Sequence, residues 1–254
     1  MSNDAIGERF KAYEQCFDFT LPHRMPMVIR VDGRAFHSLP LLKPFDNSFH
    51  AQMSMTTKAL CKEVQGAVLG YFQSDEISII ARDDLTNTTQ PWVGKRLSKL
   101  LSLSAATATA AFNQPGVFGP CQFDSRVFIL PDLNEVTNYL IWRQQDATRN
   151  SISMAARAVF SHKALHGKNT SDMLDMLRDA GQPWEEILPH YRRGTVCYPA
   201  TVDKYVEKTG QMCARREWQY DLEPPVFTQD RGYIAELYQL PETTKEKDGH
   251  ENHS

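Results

Sequence analysis

The stretches that decide the fold are MVIRVDG at residues 27–33 and AVLGYFQSDEISIIA at residues 67–81. Each contains an apolar run of strand length, and the second reads as two strands joined by a short polar hairpin turn. Acidic side chains stand at the strand ends, because Asp32 closes the first strand while Asp75 and Glu76 open the last. The sequence therefore predicts carboxylates at the ends of separate strands.

Helical patterns surround these strands. Apolar spacing predicts a first helix at about residues 4–17, a second after residue 47 and an Ala-rich one from about residue 95. RVFIL at residues 126–130 predicts a fourth strand. The order strand, helix, strand, strand, helix, strand is the ferredoxin-like split βαβ pattern, so we predict an α+β fold built on βαββαβ.

This topology brings the separated carboxylates together. The first and third strands lie side by side and antiparallel at the centre of such a sheet, so Asp32 meets Asp75 and Glu76. Successive strand residues face opposite sides, and we therefore expect Asp75 to be a metal ligand and Glu76 a neighbouring carboxylate. Carboxylates reaching one point from separate strands are typical of enzymes that hold two Mg²⁺ ions on a reacting phosphate.

Length and composition bound the remaining possibilities. The chain has 254 residues, 41% of them hydrophobic, and we predict a catalytic domain with its N-terminal helix at 1–131, a helical region packed on it at 132–240, and a disordered tail at 241–254. No apolar run approaches the roughly 20 residues of a membrane span. Five cysteines without a CxxC pair favour a reduced, cytoplasmic protein without a zinc site.

Basic residues cluster locally although the net charge is −3. Arg96 and Lys99 fall in the first turns of a predicted helix, where they oppose the helix dipole unless an anion binds there. Such a pair suits a triphosphate tail, and a solvated helix face is the alternative. A second set could follow an RNA backbone without reading its sequence. It comprises Arg149, Arg157, Arg192 and Arg193.

Five motifs carry a resemblance to a known family. At VDGRAFH, KPFD, QSDEISI, KRLSK and RVFILP, in this order between about residues 5 and 198, the sequence resembles the tRNA-His guanylyltransferase family of 3′-to-5′ polymerases. The resemblance implies a polymerase palm with a helical C-terminal extension, and a homotetramer. Members activate the 5′ end of tRNA with ATP, or use a triphosphate already there. The 3′-hydroxyl of an incoming nucleotide then attacks and pyrophosphate is released.

The resemblance also implies roles for individual residues. Asp32, the Gly33 carbonyl and Asp75 would bind two Mg²⁺ ions, with Glu76 as the neighbouring catalytic carboxylate. ATP and GTP would be substrates. The residues implied to contact nucleotides are Asp32, Gly33, Arg34, Ala35, Phe36, His37, Lys43, Asp46, Ser74, Asp75, Arg96 and Lys99.

One departure from the family pattern bears on the substrate. Eukaryotic members carry His-Ile-Asn-Asn shortly after a Trp-Arg-Gln motif, where this chain has Thr148 to Ser151. This feature resembles the bacterial and archaeal branch, which adds templated nucleotides to 5′-truncated tRNA. We therefore expect repair of tRNA 5′ ends. The alternatives are addition of one guanosine to tRNA-His, a nucleotide cyclase, and a non-catalytic RNA-binding module.

Overall fold

The computed structural model describes residues 3–114, 116–206 and 211–239, so the predicted tail at 241–254 lies outside the described residues. The strands are β1 (Met27–Gly33), β2 (Ala67–Gln73), β3 (Glu76–Ala81), β4 (Phe123–Ile129), β5 (Thr195–Val206) and β6 (Gln211–Asp221). The helices are α1 (Asn3–Gln15), α2 (Asn47–Glu63), α3 (Leu97–Asn113), α4 (Leu133–Val159), α5 (His162–Leu165), α6 (Thr170–Asp179), α7 (Pro189–Arg193) and α8 (Gly232–Gln239).

One antiparallel sheet organises the chain. Its strand order is β4-β1-β3-β2-β5-β6, and β1 lies between β3 and β4. The order of the first four strands confirms the predicted ferredoxin-like arrangement. The α+β class is likewise confirmed. The predicted juxtaposition of the first and third strands is therefore the centre of the observed sheet.

Helices cover both faces of this sheet. Ile29 and Ile79 pack on one face with α2 and α3, while Val28 and Ile80 pack on the other with α4 and α8. Burial on both faces explains why the central strands are almost continuously apolar. Arg30 and Ser78 are the polar pair in mid-strand, and the carboxylates Asp32 and Glu76 pair where β1 ends.

The region at 132–240 is not only helical, which corrects the predicted domain description. It contributes β5 and β6 to the same sheet as the first four strands. Pro199 in the middle of β5 argues against a central strand. The structure accommodates it because β5 pairs with β2 only over Thr195–Cys197, and beyond that point β5 pairs with β6 alone.

One long helix dominates this region. The helix α4 runs without interruption for 27 residues from Leu133 to Val159. Asp132 caps its start by accepting a hydrogen bond from the Glu135 N–H at 2.9 Å. Among the described residues no helix is long and apolar enough to cross a membrane.

Lys95 is a buried structural residue. Its side chain is 1% exposed and pairs with Asp83 at 2.9 Å. The same ammonium donates hydrogen bonds to the carbonyls of Pro22 and Met25 at 3.0 and 2.9 Å. Lys95 therefore fastens the start of α3 to the segment that leads into β1, and its charge is already neutralised.

We expect Lys95→Met to reduce the free energy of unfolding by about 3–5 kcal/mol, because Asp83 would remain buried without its partner. The matched control is Lys99→Met, which removes an exposed charge from the first turn of α3. It should change stability by no more than about 0.5 kcal/mol. Urea denaturation of the two variants makes the comparison, and equal losses would contradict the structural role of Lys95.

Candidate active site

The predicted carboxylates meet where β1 ends. Asp32 lies directly opposite Glu76 on β3 and opposite Asp124 on β4. The Gly33 N–H donates a hydrogen bond of 3.0 Å to the carbonyl of Asp75. The turn that carries Asp75 is therefore tied to the end of β1, and the structure brings together the residues that the sequence separates.

Both loops beside these carboxylates contain a strained residue. Gln73 pairs with Glu76, so Ser74 and Asp75 form a two-residue turn, and Ser74 has a φ of 49°. Ala35, in the loop after β1, has a φ of 59°. Left-handed backbone at non-glycine residues costs on the order of 1–3 kcal/mol each and is frequent at functional sites. Both residues belong to the predicted nucleotide-binding set.

Burial and mutual repulsion perturb the two candidate metal ligands. Burial raises the pKa of Asp75 above its ordinary 3.8, and the charge of Asp32 raises it further. Burial likewise raises the pKa of Asp32, with the charge of Asp124 adding to the effect. At neutral pH the two ionised carboxylates therefore destabilise the folded protein when no cation is bound. A bound cation would offset this cost.

Glu76 has a different partner from Asp75. It is buried, accepts a hydrogen bond of 2.7 Å from Nε of Arg143 on α4, and lies 4.0 Å from Arg30. Burial raises the pKa of Glu76, and the two guanidinium groups oppose that rise. Arg143 also donates to Asp146 at 2.7 Å. Glu76 therefore anchors α4 to β3, and its catalytic role stays a prediction.

A cavity of about 210 Å³ adjoins the Ser74 turn. Because pockets for drug-sized ligands begin at roughly 300 Å³, this cavity suits part of a nucleotide, and its mostly apolar lining suits a flat base. The predicted nucleotide-binding residues in its wall are Phe36, His37, Lys43, Asp46 and Ser74.

Two predicted nucleotide-binding residues already have structural tasks. Asp46 caps α2 by accepting a hydrogen bond of 3.0 Å from the Phe49 N–H, and it accepts another of 3.0 Å from the Leu42 N–H. These bonds lower the pKa of Asp46. Phe36 belongs to the core, and a Cβ added at Gly33 would lie 2.6 Å from its ring. The tight approach explains glycine at position 33.

No local sequence pattern indicated the aromatic wall of this cavity. Tyr191 on α7 stacks on Phe45, with ring centroids 4.6 Å apart and planes 14° from parallel. His50 lies behind them, where burial and the neighbouring His190 lower its pKa to about 4. Its ring is therefore neutral at physiological pH. Phe45 and His50 are close in sequence, but Tyr191 and His190 come from a distant segment, so only packing brings the two pairs together.

Arg96 and Lys99 lie away from the carboxylates. Arg96 forms an ion pair with Asp18. The preceding residue, Lys95, donates a hydrogen bond to the Met25 carbonyl in the segment before β1. Asp32 is five residues further along β1 than Met27, about 17 Å at 3.3 Å per residue. Within one chain, the basic pair Arg96 and Lys99 at the start of α3 therefore lies apart from Asp32 at the end of β1.

The four arginines predicted to contact RNA lie on two helices. Arg149 and Arg157 are exposed on α4, and Arg149 forms an ion pair with Asp146 at 2.8 Å. Arg192 and Arg193 are half-buried at the end of α7, the helix that contributes Tyr191 to the cavity. Their contact with RNA stays a prediction.

Comparisons with known proteins agree with this geometry. Residues 7–131 match the sequence model of the family described as tRNAHis guanylyltransferase, Thg1. A probable tRNA(His) guanylyltransferase of Drosophila melanogaster is 29% identical over 208 residues, which are 74% of this chain and 71% of that protein.

Solved structures show the same similarity. A bacterial tRNA(His) guanylyltransferase (Thg1)-like protein in complex with ATP is 38% identical, with a TM-score of 0.83 over 93% of this chain and 100% of that one. The corresponding complex with GTP is 37% identical, with a TM-score of 0.81 over the same shares. The tRNA(His) guanylyltransferase of Saccharomyces cerevisiae is 20% identical, with a TM-score of 0.62 over 80% of this chain and 94% of that one, and shares the fold.

Asp75→Asn should stabilise the protein. Because the folded pKa of Asp75 lies above its ordinary 3.8, ionisation opposes folding as the pH rises through that range. At pH 7 we expect a gain on the order of 1 kcal/mol, which disappears in acid below the ordinary value. Urea denaturation at several pH values measures it, with Asp203→Asn on exposed β5 as the control. A loss of stability at pH 7 would contradict the assignment.

Glu76→Ala should have the opposite effect. It leaves the buried guanidinium of Arg143 with Asp146 as its remaining carboxylate partner, and we expect a loss of about 3 kcal/mol. Glu76→Gln keeps a hydrogen-bond acceptor and should lose less. Thermal and urea denaturation report both changes. If Glu76→Ala left stability unchanged, Glu76 would not be the anchor of α4.

Proposed function

Since the chain belongs to the tRNA-His guanylyltransferase family, whose members are nucleotidyltransferases acting on the tRNA 5′ end, we propose that it is a Mg²⁺-dependent enzyme that repairs 5′-truncated tRNA by 3′-to-5′ addition of nucleotides. The observation that carries the proposal is the placement of Asp32 and Asp75 beside a cavity for part of a nucleotide. Family membership argues against the alternatives of a cyclase and a non-catalytic RNA-binding module.

The donor set fits magnesium. Mg²⁺ is commonly bound through one or two carboxylates, with waters and substrate phosphates completing its octahedron. Within residues 3–114, 116–206 and 211–239, no group of three or more histidine, cysteine, aspartate or glutamate side chains could hold a metal. Asp32, Asp75 and the Gly33 carbonyl form an open set of the kind that shares its metal with a triphosphate. Bound Mg²⁺ would neutralise phosphate charge and acidify the attacking hydroxyl.

The residues of this chain would orient two reactants. The cavity takes the base of one nucleotide against its apolar wall, and the loop carrying Arg34 to His37 faces its phosphates with amides and a cation. Positioning is the main contribution of the protein to phosphoryl transfer. The 3′-hydroxyl of the incoming nucleotide loses its proton and bonds to the α-phosphorus at the RNA 5′ end. When that end carries a triphosphate, the bond to pyrophosphate breaks. When ATP has first adenylylated a 5′-monophosphate with release of pyrophosphate, the bond to AMP breaks instead.

ATP and GTP are the proposed nucleotides. The bacterial Thg1-like protein is described in complex with each of them, and this chain covers all of that protein at 37–38% identity. Neutral His50 and the stacked pair of Tyr191 and Phe45 give the cavity an uncharged wall that accepts either purine. ATP would activate the RNA 5′ end, and GTP or ATP would be added.

The preference for repair rests on two observations. Thr148 to Ser151 replace the His-Ile-Asn-Asn stretch of eukaryotic members, and Asn150 and Ser151 line the cavity at this position. In addition, the identity to the bacterial Thg1-like protein is 38%, against 20% for the yeast tRNA(His) guanylyltransferase. Addition of a single guanosine to tRNA-His is the alternative.

An assembly of several copies would reconcile Arg96 and Lys99 with a nucleotide site. Since one chain holds them far from Asp32, contact with the same reactants requires another copy, as in the predicted homotetramer. The N-terminal helix offers surface for such contacts, because Ile6, Phe10 and Tyr13 on α1 are 41%, 55% and 62% exposed. We also propose a reducing, cytoplasmic compartment, since all five cysteines are free thiols.

Nucleotide addition to RNA tests the proposal. Wild-type protein incubated with Mg²⁺, ATP, labelled GTP and several 5′-truncated tRNAs should extend each of them with the base that pairs with its template. Asp32→Asn should reduce the rate by at least about 100-fold, the effect of removing one preorganised electrostatic contact. Asp203→Asn on exposed β5 is the matched control.

Competition separates the two tRNA activities. Full-length tRNA-His is offered together with truncated tRNAs, and the added base is sequenced. Repair predicts that truncated substrates are extended and that changing the template base changes the product. Strong preference for tRNA-His, with guanosine added whatever base lies opposite, would replace repair by single-guanosine addition.

A further inference from the structure

Two arginines at the end of α7 form no ion pair within the part of the chain that the structure describes. Arg192 and Arg193 are half-buried, and the Nε atom of each is buried and makes no hydrogen bond within the described part of the chain. Neither forms an ion pair with a carboxylate there. The nearby Glu185 pairs with Arg178. A buried donor without an acceptor costs about 1–3 kcal/mol, and more when it is charged.

Their backbone is held firmly from two sides. The hydroxyl of Tyr71 on β2 donates to the Arg193 carbonyl at 2.8 Å, and that of Thr148 on α4 donates to the Arg192 carbonyl at 3.3 Å. Gly194 follows with a φ of 77°, and a Cβ there would lie 2.6 Å from the Tyr71 hydroxyl. The fold therefore fixes where both side chains start, although it leaves their Nε donors unused.

The two guanidinium groups also repel each other. Burial lowers the pKa of Arg192, and the charge of Arg193 lowers it further. The charge of Glu185, which forms its ion pair with Arg178, opposes this lowering of the Arg192 pKa. The Arg192 guanidinium lies over the Trp184 ring, 5.0 Å from its centre, and the indole is held by a hydrogen bond of 3.0 Å to Ser151. Stacking orients the planar group but supplies no negative charge. An anion is the missing partner.

We propose that Arg192 and Arg193 bind a phosphate group of the RNA substrate. The inference rests on the proposed function and adds a site to it. Guanidinium groups bind phosphate oxygens through paired, charge-assisted hydrogen bonds, which would satisfy the unused Nε donors. The preceding residues of α7, His190 and Tyr191, line the nucleotide cavity. One short helix therefore places an RNA phosphate next to the base of a bound nucleotide.

RNA is a better source of this phosphate than a nucleotide in the cavity. The cavity is lined by His190 and Tyr191 but not by Arg192 or Arg193. The pairing of Thr195 with Phe72 holds the end of α7 beside β2, so both arginines flank the cavity without entering its wall. The polynucleotide is the reactant with further phosphates to offer at this position.

Binding of a 5′-truncated tRNA transcript, followed by fluorescence anisotropy without nucleotides, tests the site. Arg193→Gln should weaken binding about tenfold and reduce the slope of log affinity against log salt by about 0.7 to 0.9, the share of one phosphate contact. Lys62→Gln, which removes the same charge from an exposed position on α2, is the matched control and should change affinity less than about twofold.

Variants of Arg192 keep the test decisive if stacking of this residue on Trp184 contributes to stability. Arg192→Gln should resemble Arg193→Gln. If it lowers the melting temperature, Arg192→Lys keeps the charge and should retain most of the affinity. The site would be overturned if Arg193→Gln and Arg192→Gln both fold and bind RNA with the same affinity and the same salt slope as the Lys62→Gln control. Weaker binding of ATP with unchanged binding of RNA would overturn the assignment to RNA.

The two proposals fail in different ways. If the wild-type protein adds no nucleotides but Arg193→Gln loses RNA affinity, the phosphate site is supported and the repair function is rejected. If the wild-type protein extends truncated tRNA but Arg193→Gln binds RNA normally, the phosphate site is rejected and the repair function stands. Binding is measured without nucleotides, so neither result depends on catalysis.

Discussion

Antiparallel pairing of β1 with β3 is the constraint on which the candidate site depends. The register sets Asp32 opposite Glu76, and the bond from the Gly33 N–H to the Asp75 carbonyl fixes the adjoining turn against the end of β1. A shift by one residue would turn every side chain of the strand to the other face of the sheet. Such a shift would break the buried hydrogen bonds of Ser78 with Tyr139 and of Glu76 with Arg143. The core therefore sets the position of the carboxylates.

The polar residues at this edge divide two tasks between adjacent positions. Asp75 is held near Asp32 at a cost in stability, whereas Glu76 faces Arg143 and joins the sheet to α4. Arg143 lies on the helix that further along carries Asn150 and Ser151 to the cavity wall. The ion pair thus connects the carboxylate edge with the nucleotide cavity. Residues that oppose folding are frequent where a ligand binds, because the ligand supplies the missing interaction.

The same division of tasks appears at the start of α3. Lys95 is buried among carbonyls and Asp83, while Arg96, the next residue, is exposed and pairs with Asp18. At the end of α7 the situation is reversed, since Arg192 and Arg193 are half-buried without carboxylate partners among the described residues. Buried charge is costly unless it is paired. Paired Lys95 is therefore part of the fold, whereas the absence of ion pairs for the two arginines among the described residues is the basis of the proposed phosphate site.

The sequence by itself determined the palm and its carboxylates. Apolar runs of strand length, a polar turn and the order of the elements predicted four strands with Asp32 beside Asp75, because these features are local and the topology fixes the rest. Only the tertiary structure added β5 and β6 to the sheet, since Pro199 and the polar residues of this hairpin do not resemble a core strand. Only the tertiary structure separated Arg96 and Lys99 from Asp32 and placed Phe45, His50 and Tyr191 around one cavity. Those relations join distant segments through packing and burial, and no local pattern of residues encodes them.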